Sequence, residues 1–212
     1  RPVWTWDGRG FAVERGFDVA DRPTTVHVTG GDGAMAMDAV VETYRYGDAE
    51  ADRAAAVAAN TVGRLVEVKD GAGVVSVSAY DPLGAVRAQG RRLRATVDEA
   101  PDWRGAEAVE SEVLTTSTRT DALGREVWTA LADGTTRETV YARGGALVEV
   151  RVTTPDGALV EAPIVADVAR DAHGRVVAAT LGNGVGQTWA YDPARGRLVA
   201  QDAVRGTRAY QG

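Results

Sequence analysis

A short corner recurs along this chain: aspartate, two residues, then glycine. The copies are Asp70-Gly71-Ala72-Gly73, Asp81-Pro82-Leu83-Gly84, Asp121-Ala122-Leu123-Gly124 and Asp171-Ala172-His173-Gly174. Asp192-Pro193-Ala194-Arg195-Gly196 carries one extra residue, and Phe17-Asp18-Val19-Ala20-Asp21-Arg22 is a degenerate copy with Asp21 where glycine is expected. The spacing has a mechanism. Aspartate at the first position of a type I turn accepts a hydrogen bond from the backbone two residues on. Proline at the second position presets φ, and glycine at the fourth supplies the positive φ that sends the chain back as a returning strand. Together they close short hairpins through a type I turn and a glycine bulge. Asp133-Gly134 and Asp156-Gly157 read as tight-turn signals of a simpler kind, and Asn183-Gly184 as a two-residue hairpin signal.

The flanks of these corners predict strands. Val74–Tyr80, Thr136–Tyr141, Ala146–Val152, Arg175–Thr180 and Gln187–Tyr191 are alternating or β-branched stretches of ordinary strand length. Lone hairpins of this size are marginal in water, so several must associate. One stretch breaks the pattern. Asp48 to Asn60 is alanine-rich, with Asp48 placed to cap a short helix and Asn60 or Gly63 to end it. Asp98 to Glu112 reads as a polar loop anchored by Trp103.

Composition closes several routes. The 25 glycines among 212 residues follow no collagen period, and 44% hydrophobic with 25% charged residues is the make-up of a folded chain. No apolar run approaches the roughly 18 residues of a membrane-spanning helix. A net charge of −6 argues against nucleic acid as partner. Without cysteine there are no disulfides, thiolate metal sites or thiol nucleophiles, and two distant histidines, His27 and His173, make a poor metal site. The chain begins at Arg1-Pro2-Val3 without methionine or a recognisable signal peptide, so residues 1–212 are expected to be one segment of a longer polypeptide.

Tyr80-Asp81-Pro82-Leu83-Gly84, Thr120-Asp121-Ala122-Leu123-Gly124-Arg125 and Tyr191-Asp192-Pro193, continuing to Gly196-Arg197-Leu198, resemble the YD repeats of the RHS family. Arg125, Arg175 and Arg197 match the arginine that follows the glycine in that pattern. The order of other features is similar to the RHS region of the B component of bacterial insecticidal toxin complexes, the Tc toxins. Tyr44-Arg45-Tyr46-Gly47-Asp48 precedes Asn60-Thr61-Val62-Gly63-Arg64-Leu65, and Leu181-Gly182-Asn183-Gly184-Val185 precedes Tyr191-Asp192-Pro193. The resemblance covers Trp4 to Tyr210. It implies an all-β fold: antiparallel hairpins in a continuous curved strip, part of a hollow shell, with one short helix near 48–60. It also implies a non-enzymatic wall segment of a secreted toxin complex that encloses an effector. The implied partners are further shell segments, a C-component-like protein and a channel-forming A component. The self-cleaving aspartate motif that commonly ends RHS shells is not found, so no protease residues are carried over.

The site expected from sequence is therefore structural: Tyr80, Asp81, Gly84, Asp121, Gly124, Arg125, Asp171, Gly174, Arg175, Tyr191, Asp192 and Gly196. No catalytic, cofactor or metal residues are assigned. Calcium binding would need a dense series of oxygen ligands, and Gly30-Gly31-Asp32-Gly33 is a single weak match to a calcium repeat. Gly182-Asn183-Gly184-Val185-Gly186 lacks the Lys-Ser/Thr of a phosphate loop. His27, in an alternating strand, has no nearby serine or cysteine pattern, and no G-x-S-x-G elbow occurs. Arg91-Arg92-Leu93-Arg94 is a short basic cluster that reads as lining a sheet face or pairing with carboxylates rather than as binding nucleic acid. The aromatics Trp4, Trp6, Trp128, Trp189, Tyr80, Tyr141 and Tyr191 read as cross-strand packing partners. Two other classes stay open. One is a carbohydrate-binding or adhesion module that uses those aromatics. The other is a hydrolase built on two corner carboxylates.

Overall fold

The computed structural model describes residues 3–31, 33 and 36–211. Among them, sixteen strands pair in strict chain order, each with the next. Two compact units divide the chain, Arg1–Ser117 and Thr118–Gly212. The first holds β1 (Trp4–Trp6), β2 (Phe11–Phe17), β3 (Pro23–Gly30), β4 (Met37–Tyr46), β5 (Leu65–Asp70), β6 (Gly73–Tyr80), β7 (Val86–Leu93) and the start of β8 (Leu114–Thr120). The second holds the end of β8, then β9 (Glu126–Ala130), β10 (Thr136–Tyr141), β11 (Leu147–Thr153), β12 (Ala162–Arg170), β13 (Val176–Leu181), β14 (Gly186–Tyr191), β15 (Leu198–Arg205) and β16 (Arg208–Gln211).

Consecutive pairing has a simple consequence. In an antiparallel meander, connections alternate between the two ends of the strands. Within each unit, the corners that follow even-numbered strands therefore share one edge. Those of Asp18, Asp81, Asp121, Asp171 and Asp192 are all of this kind. Asp70 is not. It pairs directly with Gly73 across a two-residue loop, and its carboxylate accepts the Ala72 and Gly73 amides and the Arg91 guanidinium. This fourth Asp-x-x-Gly match is thus a tight hairpin on the opposite edge rather than a member of the corner series.

The side chains explain the strands. In β6, Val75 and Val77 are half-buried while Ser76 and Ser78 are exposed, and β14 alternates in the same way through Trp189 and Tyr191. The core is thin. Its buried apolar residues are Ala39, Ala56, Val66, Val74, Ala179 and Ala203, and no large side chain is fully buried among the described residues. Most folded domains bury one sheet face against a second layer. With so little buried, these units rely largely on cross-strand pairs and on their corners.

The first unit carries two additions. A 3-10 turn (Gly47–Ala49) leads to α1 (Arg53–Ala58), shorter than the expected helix and capped by Asp52, which accepts the Ala55 amide at 2.9 Å. Asp48 is not the cap, because its carboxylate is taken by Arg22 at 2.5 Å. Asn60, at φ 55°, follows the last helical turn. The second addition is the stretch between β7 and β8. Trp103 donates its amide to the Val40 carbonyl at 2.9 Å, and Asp102 accepts the Val40 amide at 3.2 Å. Arg104 then bridges Asp102 and Asp38 at 2.7 and 3.1 Å, which holds the Asp102 carboxyl well below its ordinary range. Beneath lies Arg94, only 4% exposed, donating to Glu107 and to the Gly71 and Glu99 carbonyls.

Candidate functional site

Three of the corners are built in the same way. At Asp121, Oδ1 accepts the amides of Leu123 and Arg125 at 2.9 and 3.0 Å, and Oδ2 accepts Arg125 Nε at 2.7 Å. Asp171 repeats this with His173 and Arg175 at 2.9, 3.0 and 2.7 Å. Asp18 repeats it with Ala20 and Arg22 at 2.8, 3.0 and 2.7 Å. One carboxylate thus satisfies two turn amides and a guanidinium at once. The arginine hydrogen bond is the largest cause that holds Asp121 and Asp171 below the ordinary carboxylate value; for Asp18 it is the Arg22 amide. Gly84, Gly124, Gly174 and Gly196 all have positive φ, and Asp21 takes the glycine place in its corner at φ 64°.

Each arginine then reaches beyond its own corner. Arg125 lies 4.3 Å from the ring centroid of Tyr141, and Arg175 lies 4.5 Å from that of Tyr191. Arg22 covers Tyr46 at 4.2 Å and Arg64 covers Tyr80 at 5.2 Å. The phenols of Tyr46, Tyr80 and Tyr191 donate to the carbonyls of Pro23, Leu65 and Val176 at 3.0, 2.5 and 3.0 Å. In each case the acceptor is the residue directly after the arginine. The ladders explain why. Glu138 opposes Trp128 and Thr188 opposes Ala178, so extending either register sets Tyr141 across from Arg125 and Tyr191 across from Arg175. The arginine opens a hairpin, the tyrosine closes it, and the pair clamps the hairpin's open end. That tyrosine is also the aromatic residue before the next corner, so the clamp joins one repeat to the next. At Gly84 the join is close: an added Cβ would lie 2.4 Å from Arg64 Nη1.

The remaining predicted residues fall as follows. Asp81 is buried at 4% exposure and accepts the Ala85 amide at 2.8 Å, with alanine where the other corners have arginine. Asp192 accepts Ala194 and Arg195 amides, and its extra residue widens the corner so that Gly196 N reaches the Asp192 carbonyl at 2.8 Å. Asp133-Gly134, Asp156-Gly157 and Asn183-Gly184 are not two-residue turns. Their corners begin at Leu131, Thr154 and Leu181, whose carbonyls accept the Gly134, Gly157 and Gly184 amides. Only the glycine of each pair has positive φ, and a two-residue turn of the Asn-Gly type would need it at both positions.

Other candidates have structural partners. His27 meets Asp38 at 2.6 Å and Glu14 at 3.7 Å in the cross-strand cluster that Arg104 joins. Arg91 pairs with Asp70 at 2.7 Å. His173 sits exposed at a corner tip. Among the described residues, no group of three His, Asp or Glu could hold a metal ion, and Asp32 of the weak calcium match lies outside them. Sequence reasoning missed the corner at Asp7, whose Oδ1 accepts the Arg9 and Phe11 amides at 2.9 Å. It also missed the clamps. The readable signal was an arginine followed sixteen residues later by tyrosine, at Arg64 and Tyr80, Arg125 and Tyr141, and Arg175 and Tyr191.

Comparison with known proteins places these features. No family model matches the chain. It is 28% identical over 149 residues to toxin subunit YenC2 of Yersinia entomophaga, a match covering 66% of this chain and 15% of that protein. The TcdB2-TccC3 crystal structure superposes with a TM-score of 0.87 at 22% identity, covering 99% of this chain and 10% of that one. The Photorhabdus luminescens Tc holotoxin pore structure gives a TM-score of 0.87 at 21% identity, again over 99% of this chain and 10% of that one. This chain therefore spans a small part of the length of the proteins it matches. In its repeated corners, their order and its fold, the chain is similar to RHS/YD-repeat proteins of the Tc toxin type.

Proposed function

We propose that this chain is a non-enzymatic wall segment of a container, one stretch of repeat-built sheet that encloses and shields a toxin effector for delivery. The observation that carries this reading is how little the sheet buries: among the described residues no large side chain is fully buried. Its corners are heavily bonded, while the buried hydrophobic residues among those described are small, alanine and valine. Such a sheet suits a wall, where strength must lie in the plane and where polar faces can meet solvent or cargo. The likeness to Tc toxin proteins supports the same reading. On it, residues 1–212 are a single segment of a longer polypeptide, acting outside the cell. Its partners are neighbouring wall segments, a C-component-like protein with its effector, and a channel-forming A component. The corner residues Tyr80, Asp81, Gly84, Asp121, Gly124, Arg125, Asp171, Gly174, Arg175, Tyr191, Asp192 and Gly196 serve architecture alone.

Electron microscopy of the full polypeptide with its partner, combined with limited proteolysis, tests the proposal. A hollow particle in which the effector resists protease until the shell is denatured is expected. A solid particle, or an effector cut as fast as when free, would refute it. One observation favours a second reading. Trp4 and Trp6 stack at 6.2 Å between ring centroids, with Trp6 72% exposed, as in a sugar-binding platform. Glycan binding abolished by Trp6→Ala with folding intact would favour an adhesion module instead.

A further inference from the structure

The clamps have a gap inside the second unit. Hairpins β9–β10 and β13–β14 are each closed by an arginine and a tyrosine, Arg125 with Tyr141 and Arg175 with Tyr191. The hairpin between them, β11–β12, has Ala146 at the arginine position and Arg170 at the tyrosine position. Arg170 does not replace the clamp, since it turns into its own corner and donates to the Gly174 carbonyl at 3.0 Å. The preceding corner also lacks its carboxylate, with Ala142 where Asp121 and Asp171 stand in theirs. Both halves of the clamp are missing together, and the sequence repeats this joint loss at Ala85 and Thr120.

The backbone departs from regular pairing at the same place. Register shifts interrupt β12–β13 on both sides of Ala169, next to the open end. Asp167, in the bulge near the corner end of β12, has φ 49°. Residues other than glycine adopt this conformation at a cost. A ladder with shifted register, a strained residue and no lock at its open end is the place where a sheet opens first.

We propose that the β11–β12 hairpin is a compliant joint built into the second unit, opening at its corner end while the hairpins on either side stay closed. The joint does not depend on what the sheet encloses.

Hydrogen exchange on the full chain tests it. Amides of Ala162–Arg170 should exchange at least about tenfold faster than those of β10, β13 and β14, as expected of a local opening. The clamp can then be rebuilt. The triple variant Ala142→Asp, Ala146→Arg and Arg170→Tyr should slow that exchange by about two- to fivefold relative to the double variant Ala142→Asp and Ala146→Arg, the difference made by a ring beneath the guanidinium. Exchange in wild-type β12 as slow as in β10 and β14 would overturn the proposal, and so would a triple variant no slower than the double. The wild-type measurement decides the matter even where a variant fails to fold.

Discussion

Replacing Tyr191 and Arg175, singly and together, measures whether the repeats are truly interlocked. Tyr191 contributes two separable contacts. Its hydroxyl donates to the Val176 carbonyl at 3.0 Å, and its ring lies 4.5 Å beneath the Arg175 guanidinium. Tyr191→Phe removes the first and keeps the second, at a cost of about 1 kcal/mol. Tyr191→Leu removes both. Arg175→Met removes the charge and the bond to Asp171 while keeping most of the volume. In the double-mutant cycle of Arg175→Met with Tyr191→Leu, the Asp171 contribution cancels and the cation–ring term remains, at about 0.5–1 kcal/mol. Urea denaturation followed by tryptophan fluorescence reads this directly, since about 1 kcal/mol moves the midpoint by roughly 0.3–1 M. The control is the same cycle between Arg175 and Tyr141, the partner of Arg125. Its coupling should fall below about 0.5 kcal/mol. If the two cycles gave equal coupling, the clamp would be general crowding rather than a register-specific lock, and the account of how repeats are joined would fail.

Three further outcomes are expected. Gly182→Ala would set a Cβ 1.8 Å from the Pro163 carbonyl oxygen, forcing β12 away and costing about 1–3 kcal/mol in urea unfolding, whereas Gly144→Ala, which meets nothing within 4 Å, should be close to neutral. Glu107→Ala strips the carboxylate from Arg94, whose side chain is 4% exposed, while two carbonyl acceptors remain, so a loss of about 2 kcal/mol is expected in thermal unfolding. Asp18, Asp121 and Asp171 are held below 3.8, so the stability they lend is complete above that value and is lost as pH falls through their lower folded values. Acid unfolding of Asp121→Asn with Asp171→Asn should accordingly show a shallower decline below about pH 4 than wild type, and an unchanged profile would rule out these carboxylates as its cause.

Some features were legible because they are local. Aspartate at the head of a corner and glycine at its end answer to backbone geometry within five residues, so Asp121–Gly124 and Asp171–Gly174 could be read directly. Degenerate spelling was harder. Asp21 fills a glycine place, and Leu131, Thr154 and Leu181 head corners without a carboxylate at the first position, because the same backbone bends either way. Asp70 shows the reverse error: the right spelling stands at a different kind of turn, where the ladder continues to Gly73 and leaves a two-residue loop. The helix cap was misplaced because Asp48 had a distant claimant in Arg22, and no local pattern weighs a competitor 26 residues away.

From the order of its amino acids alone, this chain is committed to hairpins: each bend is fixed by the φ its own residues tolerate, and each strand by alternation along a few side chains. Which arginine meets which tyrosine was decided only in the assembled sheet. That pairing depends on how neighbouring strands align across their ladder, a cooperative property of main-chain hydrogen bonds formed between segments rather than within them.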